Sequence, residues 1–264
     1  MNYWHTYFLT TIIYLVPCAG LLSNKFSLSI NLTNLFLILG LISHSYFSYI
    51  ITFNQGVNLN FSNALLVISL ITVFLYMIVN FKKRFIGLEF LTLIPAIIII
   101  LFNPVFQNDH YITQYFSTNA LIHVLTALIG YSFFTFGAIF SIFVNFIESD
   151  LHVKRNKGSI FSSYVSLLAI ENKLFCIYWV GFILLTITII SGSYFSEELF
   201  GTSFIFNHKF LFSLLAWVLY GSLLIGRLMF GWRGKKAINL SLMAFTTLVL
   251  AYIGTKLIFE IVLS

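Results

Sequence analysis

Long runs of apolar residues, separated by short polar stretches, make up most of this sequence. A helix that crosses a membrane needs roughly 20 mostly apolar residues, because the hydrocarbon layer is about 30 Å thick and a helix rises about 1.5 Å per residue. The runs that approach this length are Trp4 to Leu22, Leu32 to Phe53, Asn63 to Val79, Ile86 to Phe102, Asn119 to Ile147, Leu174 to Phe195, Phe210 to Phe230 and Ala237 to Leu263. The pattern therefore predicts an all-α fold, a polytopic transmembrane helix bundle of about eight spans.

Composition leads to the same class of protein. Hydrophobic residues make up 59% of the 264 residues and charged residues only 8%, whereas about a quarter of a soluble domain is charged. So few charges cannot cover a surface that faces water. Since no internal repeat or long linker interrupts the chain, we expect a single integral membrane domain over residues 1–264.

The distribution of Lys and Arg predicts the topology. The formal net charge is +6, which would suggest a nucleic-acid partner for a soluble protein; here we expect membrane lipid and no nucleic acid. Basic residues follow the first, third, fifth and seventh predicted spans, and the loops at 54–62, 103–118 and 196–207 contain none. By the positive-inside rule the basic loops face the cytoplasm and both termini face outward.

The predicted cytoplasmic segment 148–172 is amphipathic. Its charged first part reaches Lys157, and apolar residues then recur at helical spacing. These apolar residues are Ile160, Phe161, Tyr164, Val165, Leu167 and Leu168. The pattern favours a cytoplasmic amphipathic loop that forms a helix in the membrane interface.

Histidines within the predicted spans are the first candidates for chemistry, because ionisable groups are costly in hydrocarbon. His44 and His123 both fall in the outer half of their spans, and His208 lies at the outer entrance to the seventh, beside Lys209. A neutral imidazole can ligate haem iron, and a porphyrin needs an apolar pocket with cations near its propionates. Hydrogen bonding across helices is the alternative interpretation for each histidine.

The other ionisable residues and the sequence motifs give less support for a catalytic or ligand-binding role. Glu89 lies near the inner end of the fourth span, close to Arg84, and a helix-surface ion pair is the simpler interpretation. The sequence contains no Ser-His-Asp grouping, P-loop, HExxH or CxxC motif. We therefore expect that the protein is not an enzyme and has no catalytic residues.

Several short motifs occur in an order that is known from one family. They are Leu121-Ile-His-Val-Leu-Thr-Ala-Leu-Ile-Gly-Tyr-Ser132, Ile170-Glu-Asn-Lys173 ahead of Gly181 to Gly192, His208-Lys209 ahead of Ala216-Trp217, Gly231-Trp-Arg-Gly234 and Tyr252-Ile-Gly254. With these motifs, the chain resembles the cytochrome c assembly protein family over essentially its whole length. Within that family it is most similar to an inner-membrane branch, YpjD- and HemX-like, that is related to the CcsA-like haem-handling proteins.

The resemblance implies a multi-pass protein of the bacterial cytoplasmic (inner) membrane that binds or handles haem. Such a protein would assist cytochrome c biogenesis or haem homeostasis, with haem and cytochrome c assembly components as partners. His44 and His123 would be the axial ligands of the iron of a b-type haem, and His208 an alternative ligand. The rim of the pocket is implied at Phe204, Phe206 and Lys209.

The outer loop departs from the family pattern. Haem-exporting members carry a Trp-rich platform there, whereas the stretch Phe200 to Lys209 has phenylalanines in place of the tryptophans. Asn207 stands in place of an acidic residue, and Ile225 occupies a position where a membrane histidine is expected. These departures argue against haem translocation of the full synthetase kind.

A second hypothesis needs no haem. A HemX-like scaffold or regulator would hold a cytosolic partner through its basic loops, at Lys154, Arg155, Lys157 and the turn from Gly231 to Lys236. A transporter of another amphipathic ligand is less favoured, because the sequence has no repeated halves or paired broken helices.

Overall fold

The computed structural model describes residues 4–22, 28–53, 56–81, 84–106, 118–152, 162–163, 167–194 and 208–257. Almost all of these residues are helical, which confirms the predicted all-α class. The α-helices are α1 Trp4–Leu22, α2 Ile30–Phe53, α3 Phe61–Asn80, α4 Leu88–Phe102, α5 Thr118–His152, α6 Leu167–Tyr194, α7 His208–Phe230 and α8 Lys235–Leu257. The remaining elements are a 3-10 helix at Asn103–Phe106 and two short strands, β1 Phe85–Ile86 and β2 Ser162–Ser163.

Among the described residues, 6 helices are long and apolar enough to cross a membrane, and α1 contains a shorter apolar helix, His5–Ala19. The spans are Ile30–Phe53, Phe61–Asn80, Leu88–Phe106, Asn119–Ser149, Leu167–Tyr194 and Lys209–Phe230. Large apolar side chains on these helices are exposed, among them Ile42 at 62% and Ile190 at 64%, as expected for surfaces in contact with lipid. The chain is therefore a multi-pass membrane protein. The count of eight spans and the outward termini stay predictions.

The described residues fall into two compact units, one from 1–113 and 146–167 and the other from 114–145 and 168–264. In the first unit α1 packs against α2 and α4, and α3 packs against the same two helices. These four helices therefore form a closed ring. The single domain over residues 1–264 stays a prediction.

A cluster of buried amides joins the helix ends at the predicted outer side of the first unit. Asn103 Nδ2 donates to Ser62 Oγ at 2.6 Å and to Asn63 Oδ1 at 3.1 Å, and Tyr7 Oη donates to Asn103 Oδ1 at 2.9 Å. Asn60 caps α3, because its Oδ1 accepts the backbone N–H of Asn63 at 2.7 Å. The cluster satisfies polar groups that would otherwise be costly to bury.

The ion pair predicted near the inner end of α4 forms, but it is not on the helix surface. Arg84 Nε donates to Glu89 Oε1 at 2.9 Å, and the side chain of Glu89 is 0% exposed. The backbone N–H of Gly87 donates to Glu89 Oε2 at 2.9 Å, and Arg84 Nη1 donates to the carbonyl oxygen of Leu28 at 2.6 Å. Because Glu89 is fully buried, this part of the prediction is wrong: the pair is a buried element of the first unit, held by these three hydrogen bonds.

The predicted interfacial helix is interrupted where the structure describes it. Ser162 and Ser163 form strand β2, which pairs antiparallel with Ile86 and Phe85. Residues 148–152 continue α5, and Leu167 begins α6. The charged residue Lys157 and the apolar positions 160, 161, 164 and 165 lie outside the described residues.

In the second unit, α5 and α6 run antiparallel along a line of glycines. The side chain of Leu184 lies 3.4 Å from the place a Cβ on Gly130 would occupy, and the ring of Tyr178 fills that place at Gly137. Tyr178 Oη also donates to the carbonyl oxygen of Gly137 at 3.0 Å. Positions 123, 130 and 137 are about two helical turns apart, so His123 shares this α6-facing side of α5.

The other two helices of this unit complete its packing. α7 and α8 pack against each other, and the rings of Phe134 on α5 and Tyr220 on α7 stack with centroids 4.0 Å apart. Ser141 Oγ on α5 lies 3.1 Å from Ser241 Oγ on α8. α5 is therefore in contact with all three of its neighbours.

Candidate functional site

His123 is held by the end of α6. It lies in the second turn of α5, and its Nδ1 is 2.8 Å from Ser191 Oγ near the end of the antiparallel helix. Ser191 Oγ in turn donates to the carbonyl oxygen of Thr188 at 3.2 Å. The His123 side chain is half-buried. Within the described part of the chain, its Nε2 has no hydrogen-bond partner.

Gly192 leaves space beside this imidazole. A Cβ on residue 192 would lie 3.0 Å from His123 Cε1, 3.6 Å from Nε2 and 3.7 Å from Nδ1. Any larger side chain there would press on the ring between its two nitrogens. Ser191 therefore holds one nitrogen of the ring, and Gly192 gives the ring room to lie against α6.

Lys209 lies near the same end of the second unit. It is the second residue of α7, its side chain is exposed, and its ammonium group is close enough to act electrostatically on the ring of His123. α7 is fixed against α6 by Trp217, whose Nε1 donates to Thr186 Oγ1 at 2.8 Å. The structure thus brings together two predicted site residues, His123 and Lys209.

His44 has different surroundings in the first unit. It is 0% exposed, its Nδ1 lies 3.3 Å from Tyr14 Oη, and its Nε2 lies 3.5 Å from Ser69 Oγ. Its ring stacks on Phe47 with centroids 5.2 Å apart and an interplanar angle of 11°. Both ring nitrogens thus face hydroxyl groups of the protein, as the hydrogen-bonding interpretation expects. Iron ligation by His44 stays a prediction.

The remaining predicted site residues belong to the segment before α7. Phe204 and Phe206 lie outside the described residues, and His208 is placed only as the first residue of α7. Across the described residues, no group of three or more His, Cys, Asp or Glu side chains is arranged to hold a metal ion. Haem differs from such ions because the porphyrin supplies four ligands and the protein needs to supply only one or two.

Two of the motifs in the sequence meet at the other end of the second unit. Glu171 Oε1 accepts the backbone N–H of Gly234 at 3.0 Å, and Arg227 Nη2 donates to Asn172 Oδ1 at 3.1 Å. Arg227 Nη1 lies 3.9 Å from Glu171 Oε2, and the guanidinium is 4.8 Å from the ring centroid of Phe175. This cluster fixes the turn between α7 and α8 to the start of α6.

Sequence reasoning missed Ser191, Gly192 and this second cluster. The signal for the first two was the pair of glycines at positions 130 and 137, which lie on the same side of α5 as His123 and indicate the side that approaches another helix. Nothing in the sequence indicated which residues of α6 would face that line. Glu171 and Gly234 had been recognised only as parts of separate motifs.

Comparisons with known proteins agree with this fold. A family model described as "Cytochrome C assembly protein" matches residues 29–263. Inner membrane protein YpjD of Escherichia coli strain K12 is 28% identical over 211 residues, which cover 79% of this chain and 78% of YpjD. Cytochrome c biogenesis protein CcsA of Heterosigma akashiwo is 25% identical over 234 residues, which cover 75% of this chain and 72% of CcsA.

A shorter stretch is more similar to another relative. Cytochrome c biogenesis protein CcsA of Prochlorococcus marinus is 36% identical over 78 residues, which cover 30% of this chain and 25% of CcsA. No solved structure matches this chain. The family resemblance and the inner-membrane location predicted from the sequence are confirmed. The chain belongs to the cytochrome c assembly protein family, and this membership supports a role in cytochrome c biogenesis.

Proposed function

We propose that this protein binds haem in the membrane and assists cytochrome c biogenesis, with His123 as an axial ligand of the iron. The observation that carries the proposal is the arrangement of the imidazole: Ser191 holds Nδ1 at 2.8 Å, while Nε2 has no partner within the described residues. Ligating histidines commonly have this arrangement, with the second nitrogen hydrogen-bonded by a neighbouring group. The protein holds haem and does not transform it.

Two residues of the second unit have the side-chain chemistry that haem requires. Haem, when bound, supplies an iron that accepts an imidazole nitrogen, and His123 Nε2 is suited to that role. Lys209, exposed near the same end, would pair with a propionate. We infer a b-type haem, because the sequence contains no CxxCH motif for covalent attachment. Phe204 and Phe206 remain the proposed apolar rim.

His44 is not needed for this proposal. Ligation by His44 would require one of its contacts, with Tyr14 or with Ser69, to break, because each of its nitrogens faces one of those hydroxyl groups. His208 remains the proposed alternative as a second ligand. A haem with one protein ligand and an open position is also compatible with delivery to a partner in cytochrome c assembly.

The experiment that tests the proposal is titration of the detergent-purified protein with haem, followed by its Soret band. We expect a stoichiometric complex for the wild-type protein and its loss in His123→Ala. The matched control is His5→Ala, since His5 is an exposed histidine of α1. Monodispersity on size exclusion checks that each variant is folded. An undiminished Soret band in folded His123→Ala would contradict the proposal.

The exposed basic turn favours a second candidate, the haem-free scaffold. Arg233, Lys235 and Lys236 are exposed, and the contacts of Glu171 and Arg227 hold their turn in place. A rigid basic surface suits an acidic cytosolic partner. Replacing the three cations by Gln should leave both haem binding and cytochrome c assembly unchanged if haem binding is the function. Loss of cytochrome c assembly in cells despite normal haem binding would favour the scaffold.

A further inference from the structure

We propose that Ser191 and Gly192 are positioning residues for the haem site: Ser191 selects the tautomer of His123 that can ligate iron, and Gly192 gives the ring the room to hold its position against α6. The inference rests on the proposed function and deepens it.

The Ser191 hydroxyl has a single hydrogen to donate. Ser191 Oγ is within hydrogen-bond distance of two groups, His123 Nδ1 at 2.8 Å and the carbonyl oxygen of Thr188 at 3.2 Å. A carbonyl oxygen only accepts, so the bond to Thr188 uses the serine hydrogen. The bond to His123 then requires a hydrogen on Nδ1, which Ser191 Oγ accepts.

A neutral imidazole carries a hydrogen on only one of its two nitrogens. With that hydrogen on Nδ1, Nε2 of His123 carries the lone pair, and this is the nitrogen without a partner among the described residues. In the opposite tautomer Nδ1 has no hydrogen, so Ser191 would have to donate its hydroxyl hydrogen to Nδ1. It would then lose its hydrogen bond to the carbonyl oxygen of Thr188. The arrangement that keeps both hydrogen bonds is therefore the one that prepares Nε2 to bind iron.

Gly192 acts on the same ring by its size. Because a Cβ on residue 192 would lie 3.0 Å from His123 Cε1 and almost equally far from the two nitrogens, 3.6 Å from Nε2 and 3.7 Å from Nδ1, a methyl group would press on the ring between them. The ring would have to shift, and a shift would change both the direction of Nε2 and the 2.8 Å contact of Nδ1 with Ser191. Glycine is the residue that lets the ring keep its position without moving α6.

The first test is made on the haem-free wild-type protein. Nitrogen-15 NMR of the histidine-labelled protein in detergent reports which ring nitrogen carries the hydrogen, and the signals of His123 are assigned by their loss in His123→Ala. We expect the hydrogen on Nδ1. A hydrogen on Nε2 as the main form would overturn the inference. This test requires no variant at position 191 to fold.

The second test measures haem affinity in three variants. We expect Ser191→Ala to weaken haem binding about 10- to 100-fold, as loss of a supporting group does at other metal sites. Ser191→Thr keeps the hydroxyl and should restore most of the affinity. Gly192→Ala should weaken binding as well. Wild-type affinity in folded Ser191→Ala, with the tautomer unchanged, would overturn the inference.

The outcomes separate this inference from the proposed function. If His123→Ala binds haem as the wild type does, the proposed ligand is wrong, and the positioning role for haem falls with it. If His123→Ala loses haem while Ser191→Ala and Gly192→Ala do not, the ligand stands and only the positioning role is overturned.

Discussion

His44 in the first compact unit and His123 in the second both lie within apolar helices, but the two histidines are held in different ways. His44 is fully buried, stacks on Phe47 and has a hydroxyl group at each nitrogen. His123 is half-buried and, among the residues that the structure describes, has a hydroxyl group at one nitrogen only. A histidine in a membrane span is therefore not a ligand by virtue of its position; what matters is whether one nitrogen remains available.

The two units also differ at their predicted cytoplasmic ends. In the first, Arg84 and Glu89 are in contact at 2.9 Å and the carboxylate is fully buried. In the second, the closest approach of Arg227 to Glu171 is 3.9 Å, and Glu171 also accepts a backbone N–H. The first pair joins neighbouring segments of one region, whereas the second joins motifs that are far apart in the chain. Because the first pair is closer and its carboxylate is fully buried, replacing Glu by Gln should lower the free energy of unfolding more in the first pair than in the second.

The largest effect is expected for Glu89→Gln. This change leaves the Arg84 guanidinium, only 14% exposed, without its counter-charge in a buried site. We expect the free energy of unfolding to fall by about 3–5 kcal/mol. Unfolding of the purified protein by SDS, followed by circular dichroism, measures the change. A loss under about 1 kcal/mol would show that the pair is far better solvated than its burial implies.

A smaller effect is expected for His44→Ala. Among the described residues, the substitution leaves Tyr14 Oη without a partner and leaves Ser69 Oγ with only its bond to the carbonyl oxygen of Leu66. It also removes the ring that stacks on Phe47. The free energy of unfolding should fall by about 1–3 kcal/mol, measured in the same way. Haem binding should be retained, in contrast to His123→Ala. If His44→Ala also abolished the Soret band while remaining folded, the contrast between the two histidines would be wrong.

The smallest effect is expected for Glu171→Gln, the counterpart of Glu89→Gln. The amide oxygen of the new side chain can still accept the N–H of Gly234, and Arg227 keeps its contacts with Asn172 and Phe175. We expect a loss of about 1 kcal/mol in the free energy of unfolding. A loss as large as that of Glu89→Gln would mean that the second cluster depends on the ion pair and not on the backbone contact.

Helix positions could be predicted from the sequence where the apolar pattern is uninterrupted. The first helix was predicted from Trp4 to Leu22 and is found there. The other starts lie one or two residues from their predicted positions, except one that lies farther away. The helix at Leu167–Tyr194 was predicted to begin at Leu174, because Glu171 and Asn172 are polar; both find partners near the next turn, and the helix continues through them. The fourth helix begins at Leu88 and not Ile86, because Phe85–Ile86 pairs with β2 and Gly87 adopts a φ of 94°.

The sequence by itself determined the class of the protein, the approximate position of its helices and its family, because these follow from local composition and from motifs read along the chain. Only the tertiary structure decided that Ser191 holds His123, 68 residues away, and that Glu171 meets Gly234, 63 residues away. Hydrophobic patterning specifies which segments are helical in a membrane, but it carries little information on which helix faces contact each other. The availability of a histidine nitrogen depends on those contacts, and so it became visible only after the helices were packed.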